Sequence, residues 1–141
     1  MREILFRGQT RRKGEKVRLD GTPVDGNWVY GGVAQFNEER AIIYQTEPEF
    51  HKFSVYADTV GQYTGLTDKN GVRVFEGDIV RCKQEKKEDI CVVIWFNGAF
   101  VACPISGNLL EMTLHDYWYN DYDLIEVIGN ETDNPELLKG E

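Results

Sequence analysis

Glu76 and Asp78 are the residues whose type and spacing come nearest to supporting chemistry. Two positions apart on a regular strand, they would project to one face. With a third carboxylate, such a pair can bind a divalent metal or divide acid and base roles. Gly77 between them favours another arrangement, a bend in which the carboxylates bond backbone N–H groups or the nearby Arg81. His51 and His115 are the only histidines, too few for a multi-histidine metal site or a histidine relay. Cys82, Cys91 and Cys103 are odd in number and form no Cys-x-x-Cys pair, so they are expected to be reduced, half-buried thiols. The phosphate-loop, dinucleotide, zinc-protease and nucleophile-elbow motifs do not occur. No catalytic, cofactor-binding or metal-binding residue is assigned, and the expectation is a protein that is not an enzyme and uses no cofactor.

The run from His115 to Asp123 suits binding better than catalysis. Tyr117, Trp118, Tyr119 and Tyr122 supply rigid contact area, and Asp121 and Asp123 keep such a patch soluble. Aromatics interleaved with lysine or arginine would suit single-stranded nucleic acid, whereas interleaved aspartates suit a protein partner or a basic surface. The same side chains could instead cover one edge of the β-structure.

Charge points the same way. The chain of 141 residues has a formal net charge of −8, which argues against direct nucleic-acid binding. Residues 1–18 carry a net +5 and residues 111–141 a net −8. The two ends are expected to attract each other, and self-association is expected to lay the basic N-terminal segment of one copy near Asp116–Glu126 of another. No stretch approaches the ~18 apolar residues of a membrane helix, and the N-terminus lacks a secretory pattern, so a cytoplasmic location and no membrane contact are expected.

The elements that must position these residues read as strands. A short strand over Glu3–Arg7 is followed by a polar, basic loop or arm over Gln9–Lys16, then by strands over Asn27–Gly31, Val33–Phe36, Ala41–Gln45 and Phe53–Val60. Asp68-Lys-Asn-Gly71 forms a hairpin turn in which Gly71 supplies a positive φ, and Glu76-Gly-Asp78 separates Val72–Phe75 from a strand beginning at Ile79. The charged run Lys83–Asp89 is expected as a solvated loop. Asn97-Gly98 is a tight turn between Ile90–Phe96 and Ala99–Cys103, and the first of these strands is expected to be covered on both faces, with Ile94 and Trp95 largely buried. Leu109–Leu114 is ambiguous between helix and strand. Leu124–Ile128 is a strand stopped by Gly129-Asn130, and Asn134-Pro135 caps a terminal helical turn. The fold class is mainly β: a small antiparallel barrel or sandwich-like assembly with minor helix. It forms a single domain over 1–141, divisible into β modules 1–58 and 59–141.

The run Val60–Val80, with its Thr-Val-Gly-Gln-Tyr-Thr-Gly-Leu, Asp-Lys-Asn-Gly and Glu-Gly-Asp-Ile-Val pieces, and the segment Val127-Ile-Gly-Asn-Glu-Thr-Asp-Asn-Pro-Glu-Leu-Leu138 together resemble the YopX family of phage and prophage proteins. Arg2–Gly8 and Gly26-Asn-Trp-Val-Tyr-Gly31 agree in order. The resemblance implies a β-rich fold, an origin in mobile genetic elements, and no catalytic residues to transfer. Its signature positions are Gly61, Gly65, Asp68, Asn70, Gly71, Glu76, Gly77, Asp78, Gly129 and Asn130. The stretch Gln9–Val24 is longer than its counterpart in the family.

The favoured reading is a phage- or prophage-derived accessory protein in the host cytoplasm. It acts by contact with a host or phage protein and by self-association into a homo-oligomer. Two alternatives remain open, an acidic decoy of a host DNA-binding protein and a carboxylate-based metal-dependent enzyme.

Overall fold

The structure is a computed structural model that describes residues 3–11, 15–16, 23–24, 27–84, 87–96, 98–105, 112–113 and 125–139. The chain divides into two compact units, Met1–Gln62 and Tyr63–Glu141. The sequence places the module boundary at 58/59, inside the 3-10 turn Ala57–Thr59, all of which belongs with the first unit.

In the first unit the strands are β1 (Phe6–Arg11), β2 (Glu15–Lys16), β3 (Pro23–Val24), β4 (Asn27–Phe36), β5 (Arg40–Gln45) and β6 (His51–Tyr56). The sheet order is β6-β5-β4-β1, antiparallel throughout, and the first two residues of β7 (Gly61–Thr67) pair with Phe6 and Arg7. Period-two alternation sends Val29, Ala41, Ile43 and Val55 into the core, with Phe6, Val33, Phe53 and Val60 packed against them. Gly8 admits Val55 to this core: a Cβ at Gly8 would lie 2.7 Å from Val55 Cγ2. The turn between β4 and β5 closes because Asn37 Oδ1 accepts the N–H groups of Glu39 at 2.9 Å and Arg40 at 2.6 Å.

Two expectations for this unit are corrected. The first strand runs Phe6–Arg11, not Glu3–Arg7, and Gln9 is fully buried. The polar run lacked apolar periodicity, yet pairing with β4 and the bond from the Gln9 N–H to Thr59 Oγ1 at 2.8 Å supply its hydrogen bonds. Second, the segments on either side of Gly32 form one strand, β4, carrying a bulge between Val33 and Gln35.

In the second unit, β7 continues to Thr67 and pairs with β8 (Arg73–Phe75). The other strands are β9 (Asp78–Gln84), β10 (Lys87–Phe96), β11 (Ala99–Pro104), β12 (Met112–Thr113) and β13 (Ile125–Asn130), in an antiparallel sheet ordered β12-β11-β10-β9-β13. Val74, Val80, Cys82, Cys91, Val93, Ala102 and Ile125 form its core. Among the described residues the fold is mainly β, with open antiparallel sheets instead of a closed barrel.

Here too the charged run Lys83–Asp89 is not a loop. β9 and β10 pair out to Gln84 with Lys87, leaving only 85 and 86, which lie outside the described residues. Phe96 pairs with Ala99 across the predicted turn, with Gly98 at φ +81°. Asn97 itself, and all of Leu109–Leu114 except Met112 and Thr113, are outside the described residues. β13 runs through Gly129-Asn130 instead of stopping before them. The terminal turn is the 3-10 segment Pro135–Leu138. Asn134 does not cap it through its side chain, whose Oδ1 accepts the Asn130 N–H at 3.2 Å instead.

Candidate functional site

The signature residues of the 60–80 run converge on backbone groups. Asp68 is buried. Its Oδ1 accepts the N–H groups of Asn70 at 2.8 Å and Val72 at 2.9 Å, and its Oδ2 accepts that of Val127 at 2.9 Å. Gly71 stands at φ +79° and donates to the Asp68 carbonyl. Gly61 pairs with Arg7, and Gly65 lies within β7. Gly77, at φ +92°, reverses the chain between Glu76 and Asp78; its N–H bonds the Val93 carbonyl and its own carbonyl accepts the Glu131 N–H, both at 2.9 Å. The two carboxylates are therefore not successive same-face positions of a regular strand. Asp78 is buried, and its Oδ2 accepts the Phe75 N–H at 2.7 Å. Asn130 closes the last turn, its Oδ1 accepting the N–H groups of Thr132 and Asp133, and Gly129 leaves room for the Asn134 side chain. Among the described residues no group of three or more histidine, cysteine or acidic side chains is placed to hold a metal.

His51 opens β6 on the surface, 4.0 Å from Glu49, with its ring 6.4 Å from that of Phe53. His115 and the candidate partner-binding residues Tyr117, Trp118, Tyr119, Asp121, Tyr122 and Asp123 lie outside the described residues. At the end of that segment, Glu126 joins a ladder of alternating charge across three strands. Its Oε1 meets Arg81 Nη1 at 2.9 Å and Lys69 Nζ at 4.0 Å, while Glu88 meets Arg81 Nε at 2.8 Å and Lys83 Nζ at 3.9 Å. This ladder is why the charged run near residue 85 forms paired strand: opposite charges face each other across β9, β10 and β13.

Cys82 and Cys91 are fully buried neighbours on β9 and β10, and only Cys103 is half-buried. The hydrogen bond between the two buried thiols, with burial added, holds the Cys82 thiol well above the ordinary thiol range.

Sequence reasoning missed the exposed aromatics. Trp95 is 55% and Phe96 44% exposed, which corrects the expectation that Trp95 is buried; Ile94 is half-buried. β9 pairs with β10 only as far as Val92, so the last residues of β10 extend beyond it in a two-stranded hairpin. There Trp95 packs edge-on against Phe100, directly opposite, at 4.8 Å. The Asn-Gly turn two residues beyond Trp95 was the available signal. In the first unit Phe50 is 65% exposed, its ring stacked 6.5 Å from that of Tyr44, with Tyr30 also exposed. Tyr44 lies against Gly32, where no side chain obstructs the ring. At the opposite end of β5, an open hollow of about 390 Å³ is lined by Glu38, Glu39, Arg40, Tyr56 and Asp58, with the Arg40 guanidinium 3.9 Å above the Tyr56 ring. Formal charge divides unevenly between the units. Residues 1–62 balance nine basic against nine acidic side chains, so the whole net −8 falls on residues 63–141.

No helix among the described residues is long and apolar enough to cross a membrane. No curated protein matches the chain. The crystal structure of protein EF1440 from Enterococcus faecalis is similar in fold, with a TM-score of 0.53 and 21% identity, over 97% of this chain and 99% of its own. The family described as YopX protein matches residues 21–139, beginning after the basic N-terminal stretch. Over that span the signature turns at Asp68–Gly71, Glu76–Asp78 and Gly129–Asn130 do structural work, and the chain belongs to the YopX family.

Proposed function

We propose that this YopX-family chain is a non-enzymatic accessory protein of phage or prophage origin. It acts in the host cytoplasm by contact with other proteins, self-association included. The observation that carries this reading is the projecting end of the β10–β11 hairpin, where Trp95 and Phe96 present apolar area to solvent on a sheet-anchored support. Aromatic side chains of this kind anchor protein interfaces because they bury much area at low entropic cost. Of the carboxylates weighed for chemistry, Asp78 is engaged by the Phe75 N–H, and the signature residue Asp68 holds those of Asn70 and Val127, which supports a scaffold role for the signature run.

Crosslinking and affinity capture from host lysate, comparing the natural chain with a Trp95→Ser/Phe96→Ser variant, test the reading. A specific protein captured by the first and lost with the second is the expected outcome. Identical capture by both refutes the assignment of this surface.

A further inference from the structure

We infer that the β10 edge at Trp95 takes an added β-strand from another protein, and that the strand it fits is an extended segment in which lysine or arginine alternates with apolar residues. The inference rests on the reading above that the protein works by protein contact through this hairpin, and it names how the partner is held and what its chemistry is.

The open edge follows from strand parity. Along β10 the Ile90 carbonyl accepts the Ile105 N–H on the β11 side, and the Val93 carbonyl accepts the Gly77 N–H on the β9 side. The register with β11 is unbroken from Cys91 to Phe96, so even-numbered residues direct their backbone groups to β11 and odd-numbered ones to the β9 side. Trp95 therefore turns its N–H and C=O away from β11. β9 does not reach them: its pairing with β10 goes no further than Ile79 with Val92, and Gly77, at φ +92°, bulges against Val93 and turns the chain away toward β8. Among the described residues no hydrogen bond covers the Trp95 N–H or C=O.

An unpaired edge is a template for another chain, and its surroundings select that chain. The Trp95 ring, braced edge-on by Phe100, lies on one face of β10 and the exposed Phe96 on the other, so alternate side chains of an added strand find apolar contact. Two acidic residues stand where β9 leaves off. Glu76 adjoins Gly77, and Glu131 is exposed beside it, its Oε1 3.4 Å from where a Gly77 Cβ would lie. Val93, which holds the Gly77 N–H, is two residues from Trp95, about 7 Å along the strand. A lysine or arginine on the added strand can meet these carboxylates or lie over the indole. With the whole net −8 on residues 63–141, a second copy of this chain is repelled at this edge and a basic strand is attracted.

Amide exchange followed by NMR on the full chain tests it, with an acetylated octapeptide of alternating lysine and valine as the probe. In the free chain the Trp95 amide is expected to exchange much faster than that of Ile94, which faces β11. The probe at about 1 mM is expected to protect the Trp95 amide, and a glutamate–valine octapeptide is expected to leave it exchanging freely. The lysine–valine peptide methylated on every backbone nitrogen should bind roughly tenfold more weakly, because it keeps the charge and loses the edge hydrogen bonds. Glu131→Lys, with a melting curve as the folding control, should weaken binding of the unmethylated probe several-fold. A Trp95 amide already protected in the free chain, a lysine–valine peptide that leaves it unprotected, equal protection by the acidic peptide, equal affinity after methylation, or equal affinity for Glu131→Lys each overturns the inference. The measurements on the natural chain judge it even if the variant fails to fold. Capture from lysate separates this inference from the reading it rests on: a partner lost with Trp95→Ser/Phe96→Ser, together with a Trp95 amide protected in the free chain, keeps the contact surface and removes only the added strand.

Discussion

Asp68 Oδ2 accepts the Val127 N–H at 2.9 Å, across 59 positions of sequence, and the Lys69 N–H bonds the Ile125 carbonyl at 3.1 Å. β13 is the edge strand of its sheet, and these are its outward-facing backbone groups. The 68–71 turn thus closes an edge that would otherwise be open to pairing with another chain. Because Asp68 also holds the N–H groups of Asn70 and Val72, Asp68→Ala leaves several donors without their acceptor. The expected cost is about 1–3 kcal/mol, read from the urea midpoint. Asp68→Asn, which keeps one carboxamide oxygen, should cost less than alanine. Equal midpoints for the natural chain and Asp68→Ala refute the latch.

Gly8 offers a second test of packing. Its missing side chain is the space Val55 occupies, so Gly8→Ala forces a shift in the first unit's core. Overpacking of this kind costs roughly 1–3 kcal/mol. Pairing it with Val55→Ala removes the clash, and the double variant should be less destabilised than the sum of the singles. Strict additivity in thermal unfolding argues that the core absorbs the methyl elsewhere.

What could be read from the residues was local. Asp68-Lys-Asn-Gly71, Gly77 and Asn97-Gly98 carry turn chemistry that needs no distant partner, so the strands they separate were placed to within a few residues. Gln9 and the Lys83–Asp89 run were misread because polar residues become strand when a neighbour supplies hydrogen bonds or opposite charge, here Thr59 and the Arg81–Glu88 pair. Trp95 shows a third kind of failure. Its type and alternation fit a core position, but burial depends on where β9 ends, which is a property of another segment. Phe50, beside a proline and two glutamates, offered no periodicity at all.

The thiols should separate in reactivity. Thiolate is the species that reacts with disulfide reagents, and Cys82 is both buried and held protonated by its bond to Cys91. Native labelling near neutral pH is expected to modify Cys103 first, with Cys82 and Cys91 reacting only after denaturant unfolds the sheet. Mass spectrometry of the labelled peptides checks this. Fast native labelling of Cys82 contradicts its place in the core.

Trp95 and Val93 lie on the same face of β10, two residues apart, and are expected to respond oppositely to their size. Val93 is fully buried in the second unit's core, so Val93→Ala should cost roughly 1.5–3 kcal/mol. Trp95 loses mainly its edge-on contact with Phe100, worth about 0.5–1.5 kcal/mol, so the larger truncation, Trp95→Ala, should be the milder one. Chemical denaturation of both variants, with matching m-values required before the midpoints are compared, decides the order. If Trp95→Ala proves the more damaging, the indole is buried in solution and the exposed hairpin end cannot be the contact surface. If the order is as expected, Trp95 contributes little to the fold, which is the behaviour of a side chain whose partner lies on another molecule.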